Sequence, residues 1–191
     1  ILNGHGGVDA LGYVENFPDP QCGKDDVVVR VKSTSLNYHD IFTRNGMPGI
    51  KISMPMICGL DVAGEIAEIG ANVAGWKIGE RVLIDPRNRV EGGLVGETIH
   101  GGLAEYCRVK EHQLVRIPDG VSFDQASSLP VAYGTAHRMM MTIGQVTSDD
   151  KILILGASGG VGTGALLLAK MAGAEVVVCA SSESKMEKLK S

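Results

Sequence analysis

Seven consecutive residues, Gly156-Ala157-Ser158-Gly159-Gly160-Val161-Gly162, carry the densest chemical signal in the chain. A glycine turn between a strand and a helix lets backbone N–H groups approach a pyrophosphate, which those groups and the helix dipole then stabilise. The common spacing is G-x-G-x-x-G. Here the glycines stand at 156, 159 and 162, and Ser158 takes the middle place. Alone this is a weak match, but its flanks strengthen it. Residues 152–155 form a short apolar run that reads as a buried strand, and the helix after the turn puts Val161, Ala165, Leu168 and Ala172 on one face. Gly173 is placed as the C-cap of that helix. The valine-rich run 175–180 reads as a second strand of the doubly covered parallel kind. Strand, glycine turn, helix and strand make one βαβ unit, so a dinucleotide is expected on Gly156, Ala157, Ser158, Gly159, Gly160, Val161 and Gly162.

The same residues fit G-x-S-x-G, the nucleophile elbow of the α/β-hydrolases, with Ser158 as nucleophile. That reading needs an acid and then a histidine after the serine. All five histidines, His5, His39, His100, His112 and His137, precede it. A structural tight turn is the plainer alternative. An acid at the end of the second strand would bind the ribose 2′-hydroxyl of NAD. Position 180 is alanine, and Ser181, Ser182 and Lys185 follow, groups that donate to a 2′-phosphate. NADP is therefore the expected cofactor, and nearby Glu183 keeps NAD open. Ser182 as a helix cap and Lys185 as a solvated lysine are the plainer readings.

The elements that position this turn come in two textures. Val27, Val29 and Val31 alternate with Val28, Arg30 and Lys32, the period of a half-buried strand. Segments 62–69, 81–85, 103–109 and 114–117 read the same way between Gly and Pro turns, which suggests a barrel or sandwich. Near Pro118 the pattern turns helical. Ser122 and Gln125 have capping-box spacing, and Pro130 is placed to open a second helix through about residue 143. Met139, Met140 and Met141 read as core filler. Two domains are expected, 1–127 and 128–191. With 18 basic against 22 acidic residues and 4% aromatics, the chain offers nucleic acid neither a basic excess nor a stacking surface. No apolar run reaches the roughly 20 residues of a membrane helix, and no leader opens the chain. Cys22, Cys58, Cys107 and Cys179 never form a Cys-x-x-Cys pair, so reduced thiols and a cytoplasmic setting are expected. Both ends read as cut.

Several stretches, in this order along the chain, resemble the medium-chain dehydrogenase/reductase superfamily, above all its quinone-oxidoreductase-like and alcohol-dehydrogenase-like members. They are VVVRVKSTSLNYHD at 27–40, PMICGLDVAGEIAEIG at 55–70, GERV at 79–82, GGLAEY at 101–106, LPVAYGTA at 129–136 and the glycine turn. The resemblance implies a GroES-like β-barrel followed by part of an α/β Rossmann domain, with exposed apolar edges, and a homo-oligomer at full length. It also implies an NADP(H)-dependent oxidoreductase that moves hydride to or from a small-molecule quinone or conjugated carbonyl. In zinc-dependent members a Cys stands at the position of Asn37, a His at Leu60 and a second Cys at Val131. Leu and Val cannot ligate zinc and an Asn oxygen alone is a poor site, so no catalytic zinc is expected. Asn37 matches an asparagine that lines the substrate pocket, and Tyr38 and Asp40 join it as catalytic candidates. Asp40 has an equally good reading as a loop holder, and Asp61 reads as backbone support. Phe42 stands where a tyrosine is expected, which leaves His39 as either proton donor or structural residue. Thr135 matches a threonine beside the cofactor. The stretch 87–96 runs where related chains insert a four-cysteine lobe. A zinc-type alcohol dehydrogenase and a catalytically silent nucleotide-binding protein remain as alternatives.

Overall fold

Ten residues rich in β-branched side chains, Asp26–Ser35, form the central strand β1 of an antiparallel sheet. The computed structural model describes residues 1–190, which fall into two units, Ile1–Pro130 and a second that begins at Val131. In the first, helix α1 (Tyr38–Asn45) follows β1, and then come β2 (Asp61–Ile69), β3 (Arg81–Ile84), β4 (Tyr106–Lys110) and β5 (Leu114–Arg116). The sheet order is β4-β1-β2-β3-β5. Short helix α2 (Phe123–Ser127) closes the unit behind a capping box, in which Gln125 N–H donates to Ser122 Oγ and the Gln125 side chain accepts from Ser122 N–H.

The alternation expected of β1 holds only beyond Val29. Val27, Val28 and Val29 are all buried, and the register against β2 shifts between Val28 and Val29, an irregularity that breaks strict alternation. Val27, Val29, Val62, Ile66, Val82, Ile84 and Val109 form the core of the sheet. Each such side chain contributes about 1.5–3 kcal/mol on burial. The strand expected at 103–109 begins only at Tyr106. The N–H groups of Gly101, Gly102 and Leu103 are used to pin the turn at 57–59, donating to Ile57, Gly59 and Cys58 carbonyls at 2.7, 2.9 and 2.9 Å.

The second unit holds α3 (Ala132–His137), β6 (Lys151–Ile154), α4 (Gly160–Met171), β7 (Glu175–Val178) and α5 (Glu183–Lys190). Pro130 does not open a helix. It lies ahead of the N-cap, Val131, and α3 starts at Ala132 before widening into a π-helical stretch over Arg138–Ile143. Of the three methionines there, Met140 is buried and Met141 packs on the core, whereas Met139 is 53% exposed. Strands β6 and β7 pair in parallel, Lys151 opposite Glu175 through Ile154 opposite Val178. Among the described residues the pair is covered on one face. Ile152, Ile154, Val176 and Val178 pack in the core with α4, while Leu153 and Val177 on the other face are 60% and 54% exposed. Gly173 does end α4. Its N–H bonds Lys170 O and that of Ala174 bonds Ala169 O, a Schellman motif. Among the described residues no helix is long and apolar enough to cross a membrane.

Candidate functional site

Strand β1 ends at Ser35, and Asn37 stands in extended geometry (φ −120°, ψ 159°) as the N-cap of α1. Two carboxylates hold this junction. Asp40 Oδ2 accepts the Asn37 N–H at 2.8 Å, and its Oδ1 accepts the Gly59 N–H at 3.0 Å. Burial pushes the Asp40 carboxyl above its ordinary value, against the opposing pull of those two N–H groups and of His39. Asp61, fully buried at the start of β2, accepts the Ser35 hydroxyl at 2.5 Å and Asn37 Nδ2–H at 2.8 Å. Only the nitrogen of the Asn37 amide can face a carboxylate, so the amide's orientation is set. The same Nδ2 carries a second N–H.

Asn37 opens onto a pocket of about 270 Å³. Leu11, Leu36, Ile41 and Leu103 supply apolar walls, and Arg44 and Cys58 also line it. Tyr38 lies at its rim, 76% exposed, its ring tilted against Phe42 at 6.1 Å. Burial first, and then the Asp40 charge, push the Cys58 thiol up, which keeps it protonated at neutral pH. Arg44 donates from Nε to Gly6 O at 3.2 Å and from Nη2 to Asn45 Oδ1 at 3.3 Å. Helical spacing from Asn37 would have singled out Arg44, and the sequence reading missed it. It also missed buried Glu97, whose Oε2 lies 2.6 Å from His39 Nε2. No local signal joins two residues 58 positions apart.

The site does not fit a catalytic zinc. Leu60 is 1% exposed and, like Val131, has no donor atom in its side chain, while Asn37 turns its nitrogen toward Asp61. Among the described residues no three His, Cys, Asp or Glu side chains are grouped to hold a metal.

In the second unit the glycine turn is built for close approach. Gly156 has φ +64°, open to glycine at no steric cost. A Cβ on Gly162 would lie 2.5 Å from Gly156 O and 2.7 Å from Ala157 Cα, so helix and turn meet at a distance only glycine permits. Ala157, fully buried, donates to Cys179 O at 3.0 Å and accepts Thr163 Oγ1–H at 3.1 Å. Ser158, Gly159 and Gly160 are exposed, and the first-turn N–H groups of Gly160, Val161 and Gly162 have no carbonyl one turn back. These residues fit a phosphate group. Beyond β7, Lys185 Nζ donates to Ser181 Oγ at 3.1 Å, and its backbone N–H to Ser182 Oγ at 3.4 Å. Ser182 thus caps α5, and the three residues form one exposed cluster. Thr135 is exposed on α3, whose Ala132 and Ala136 pack against Gly160 and Gly164. Of the five histidines that precede Ser158, His5, His39 and His100 bond Thr43, Glu97 and Ile57.

Comparison with known proteins covers both units. Residues 23–119 match the alcohol dehydrogenase GroES-like domain. The chain is 34% identical to the acryloyl-coenzyme A reductase of Sulfurisphaera tokodaii, over 94% of this chain and 58% of that protein. It is 33% identical to the chloroplastic NADPH-dependent alkenal/one oxidoreductase of Arabidopsis thaliana, over 100% of this chain and 49% of that one. A solved NAD-dependent alcohol dehydrogenase superposes with a TM-score of 0.91 at 31% identity, covering 99% of this chain and 59% of that structure. The chain therefore spans about half the length of the curated relatives it matches. A GroES-like barrel followed by part of a Rossmann domain, with these matches along its length, makes the chain a member of the medium-chain dehydrogenase/reductase superfamily.

Proposed function

We propose that the chain is the barrel and cofactor-turn portion of an NADP(H)-dependent reductase that transfers hydride to or from a quinone or conjugated carbonyl without catalytic zinc. The observation that carries this reading is the Asn37 amide, fixed by buried Asp61 beside an apolar pocket where a metal ligand set is absent. Gly156, Ala157, Ser158, Gly159, Gly160, Val161 and Gly162 would hold the pyrophosphate, Ser181, Ser182 and Lys185 a 2′-phosphate, and Thr135 would stand beside the cofactor. When bound, the reduced nicotinamide supplies the hydride. As hydride adds to the electron-poor carbon, charge gathers on the substrate oxygen, and the free Asn37 N–H donates to it. Asp40 acts as a positioning group, because both its oxygens accept backbone N–H bonds. Tyr38 forms the pocket rim, and the leucine and isoleucine walls exclude water. Solvent supplies the proton that completes the reduction. The name of the Arabidopsis relative supports NADPH, and that of the solved dehydrogenase keeps NADH as the competing cofactor.

The test is oxidation of NADPH by the protein across a quinone, enone and aldehyde panel, with metal analysis of the same sample. Turnover with quinones or enones, lost in Asn37→Leu and unaffected by chelator, is expected. One tightly bound zinc per chain that is needed for turnover would overturn the reading in favour of a zinc-type alcohol dehydrogenase. Cofactor binding with no turnover would favour a silent nucleotide-binding protein.

A further inference from the structure

The pocket at Asn37 carries a charge that its apolar walls do not call for. Asn37, Ile41 and Arg44 fall on one face of α1, spaced four and then three residues apart. Asn37 and Arg44 line the same pocket and lie about 10 Å apart along the helix axis at 1.5 Å per residue. Arg44 as a residue is half-buried, and among the described residues it forms no ion pair. Its two acceptors, Gly6 O and Asn45 Oδ1, are neutral. A guanidinium has five N–H donors, so these two bonds leave three uncommitted. The one carboxylate in the pocket lining, Asp40, is committed to the Asn37 and Gly59 N–H groups. A cation on a half-buried residue, without a counter-ion, in the lining of a largely apolar pocket is poised for an anionic group.

We propose that the substrate is a carbonyl compound with a carboxylate at the other end of an apolar chain, its carbonyl oxygen on Asn37 and its carboxylate on Arg44. The inference rests on the reading of Asn37 as the oxygen-binding group. It adds a requirement that reading lacks. A neutral ketone or quinone fills the walls and uses Asn37 but leaves the guanidinium unpaired. Seven carbons between the carboxylate and carbonyl carbons match the helix rise of about 10 Å between the two residues.

The probes are a ten-carbon keto acid, with its ketone at the penultimate carbon conjugated to a double bond between the seventh and eighth carbons, and the methyl ester of that acid, titrated calorimetrically against the whole chain. The unmodified protein is expected to bind the acid at least about tenfold tighter than the ester. Arg44→Met should abolish that difference with little change in ester affinity, and Arg44→Lys should keep part of it. Equal binding of acid and ester by the unmodified protein overturns the proposal, as does no binding of the acid at all. Arg44→Met weakening acid and ester equally also overturns it, because Arg44 then only supports the fold through Gly6. Asn37→Leu separates the two levels. If it weakens both probes while acid and ester bind alike, the anion site fails and the oxygen site stands. If it changes neither, the oxygen site fails and the proposal with it, whatever the acid-to-ester ratio.

Discussion

Gly162→Ala tests the glycine turn most directly. The added methyl would stand 2.5 Å from Gly156 O and 2.7 Å from Ala157 Cα, about 1 Å inside ordinary carbon contacts of 3.5–4.0 Å. Both neighbours are backbone, so relief requires the turn to open rather than a side chain to rotate. Overpacking of this kind costs about 1–3 kcal/mol. Alanine's helix preference returns up to about 1 kcal/mol, less in a first turn. The net expectation is a destabilisation of about 1–2 kcal/mol, roughly 2–8 °C in Tm for a chain of this size. The same displacement moves the N–H groups of Gly160 and Val161 off the pyrophosphate, so NADPH affinity should fall by about tenfold or more. Circular-dichroism melts and fluorescence titration with NADPH measure both. Gly156→Ala is the control of opposite origin. No atom lies within 4 Å of its Cβ, and its cost comes from the φ of +64° alone, about 1–2 kcal/mol. If Gly162→Ala melted with the unmodified protein and bound NADPH as tightly, the close approach would have no role and the reasoning would be refuted.

Lys185→Ala should lower the ratio of NADPH to NADH affinity by about tenfold, since one charge-assisted hydrogen bond is worth about 1.5–3 kcal/mol, and an unchanged ratio would remove Lys185 from cofactor choice. Among the thiols, exposed Cys179 should react with a disulfide reagent at once at pH 8, whereas buried Cys107, pushed up to about 12 by burial, should react only on unfolding. Mass-mapped labelling that found Cys107 modified first would contradict the packing of β4 against β1. Asp26 sets an acid limit on stability. Burial raises its pKa, but the Lys110 ammonium at 2.8 Å, the Gly23 N–H and Arg108 outweigh that, and the net shift is downward. A lowered folded-state pKa means stability present above the unfolded value near 4 and lost as pH falls through the folded one. Urea denaturation at several pH values should therefore show Asp26→Asn less stable at pH 7 and with a shallower loss between about pH 5 and pH 2. Equal slopes for the two proteins would count against the ion pair.

What the sequence determined by itself is what neighbours within a turn can decide. Ser122 and Gln125 form their capping box, Gly173 ends α4, and the seven residues from Gly156 to Gly162 make a cradle between β6 and α4. Caps, left-handed glycines and close backbone approach depend on residues three to six apart, so their spacing is the structure. Family resemblance added the barrel and named Asn37. Tertiary structure decided the rest. Val28 is buried at a shift of register between β1 and β2, and β4 starts late because residues 101–103 are bonded to the turn at 57–59. Leu153 and Val177 are exposed because, among the described residues, α4 covers the other face of the β6–β7 pair. The site itself depends on such distant encounters. Asp61 orients Asn37 from 24 positions away, Glu97 reaches His39 across 58, and Arg44 bonds Gly6 across 38. A single sequence carries no periodicity for contacts of that length, because they are set by which strands pair and which turns the chain folds back upon.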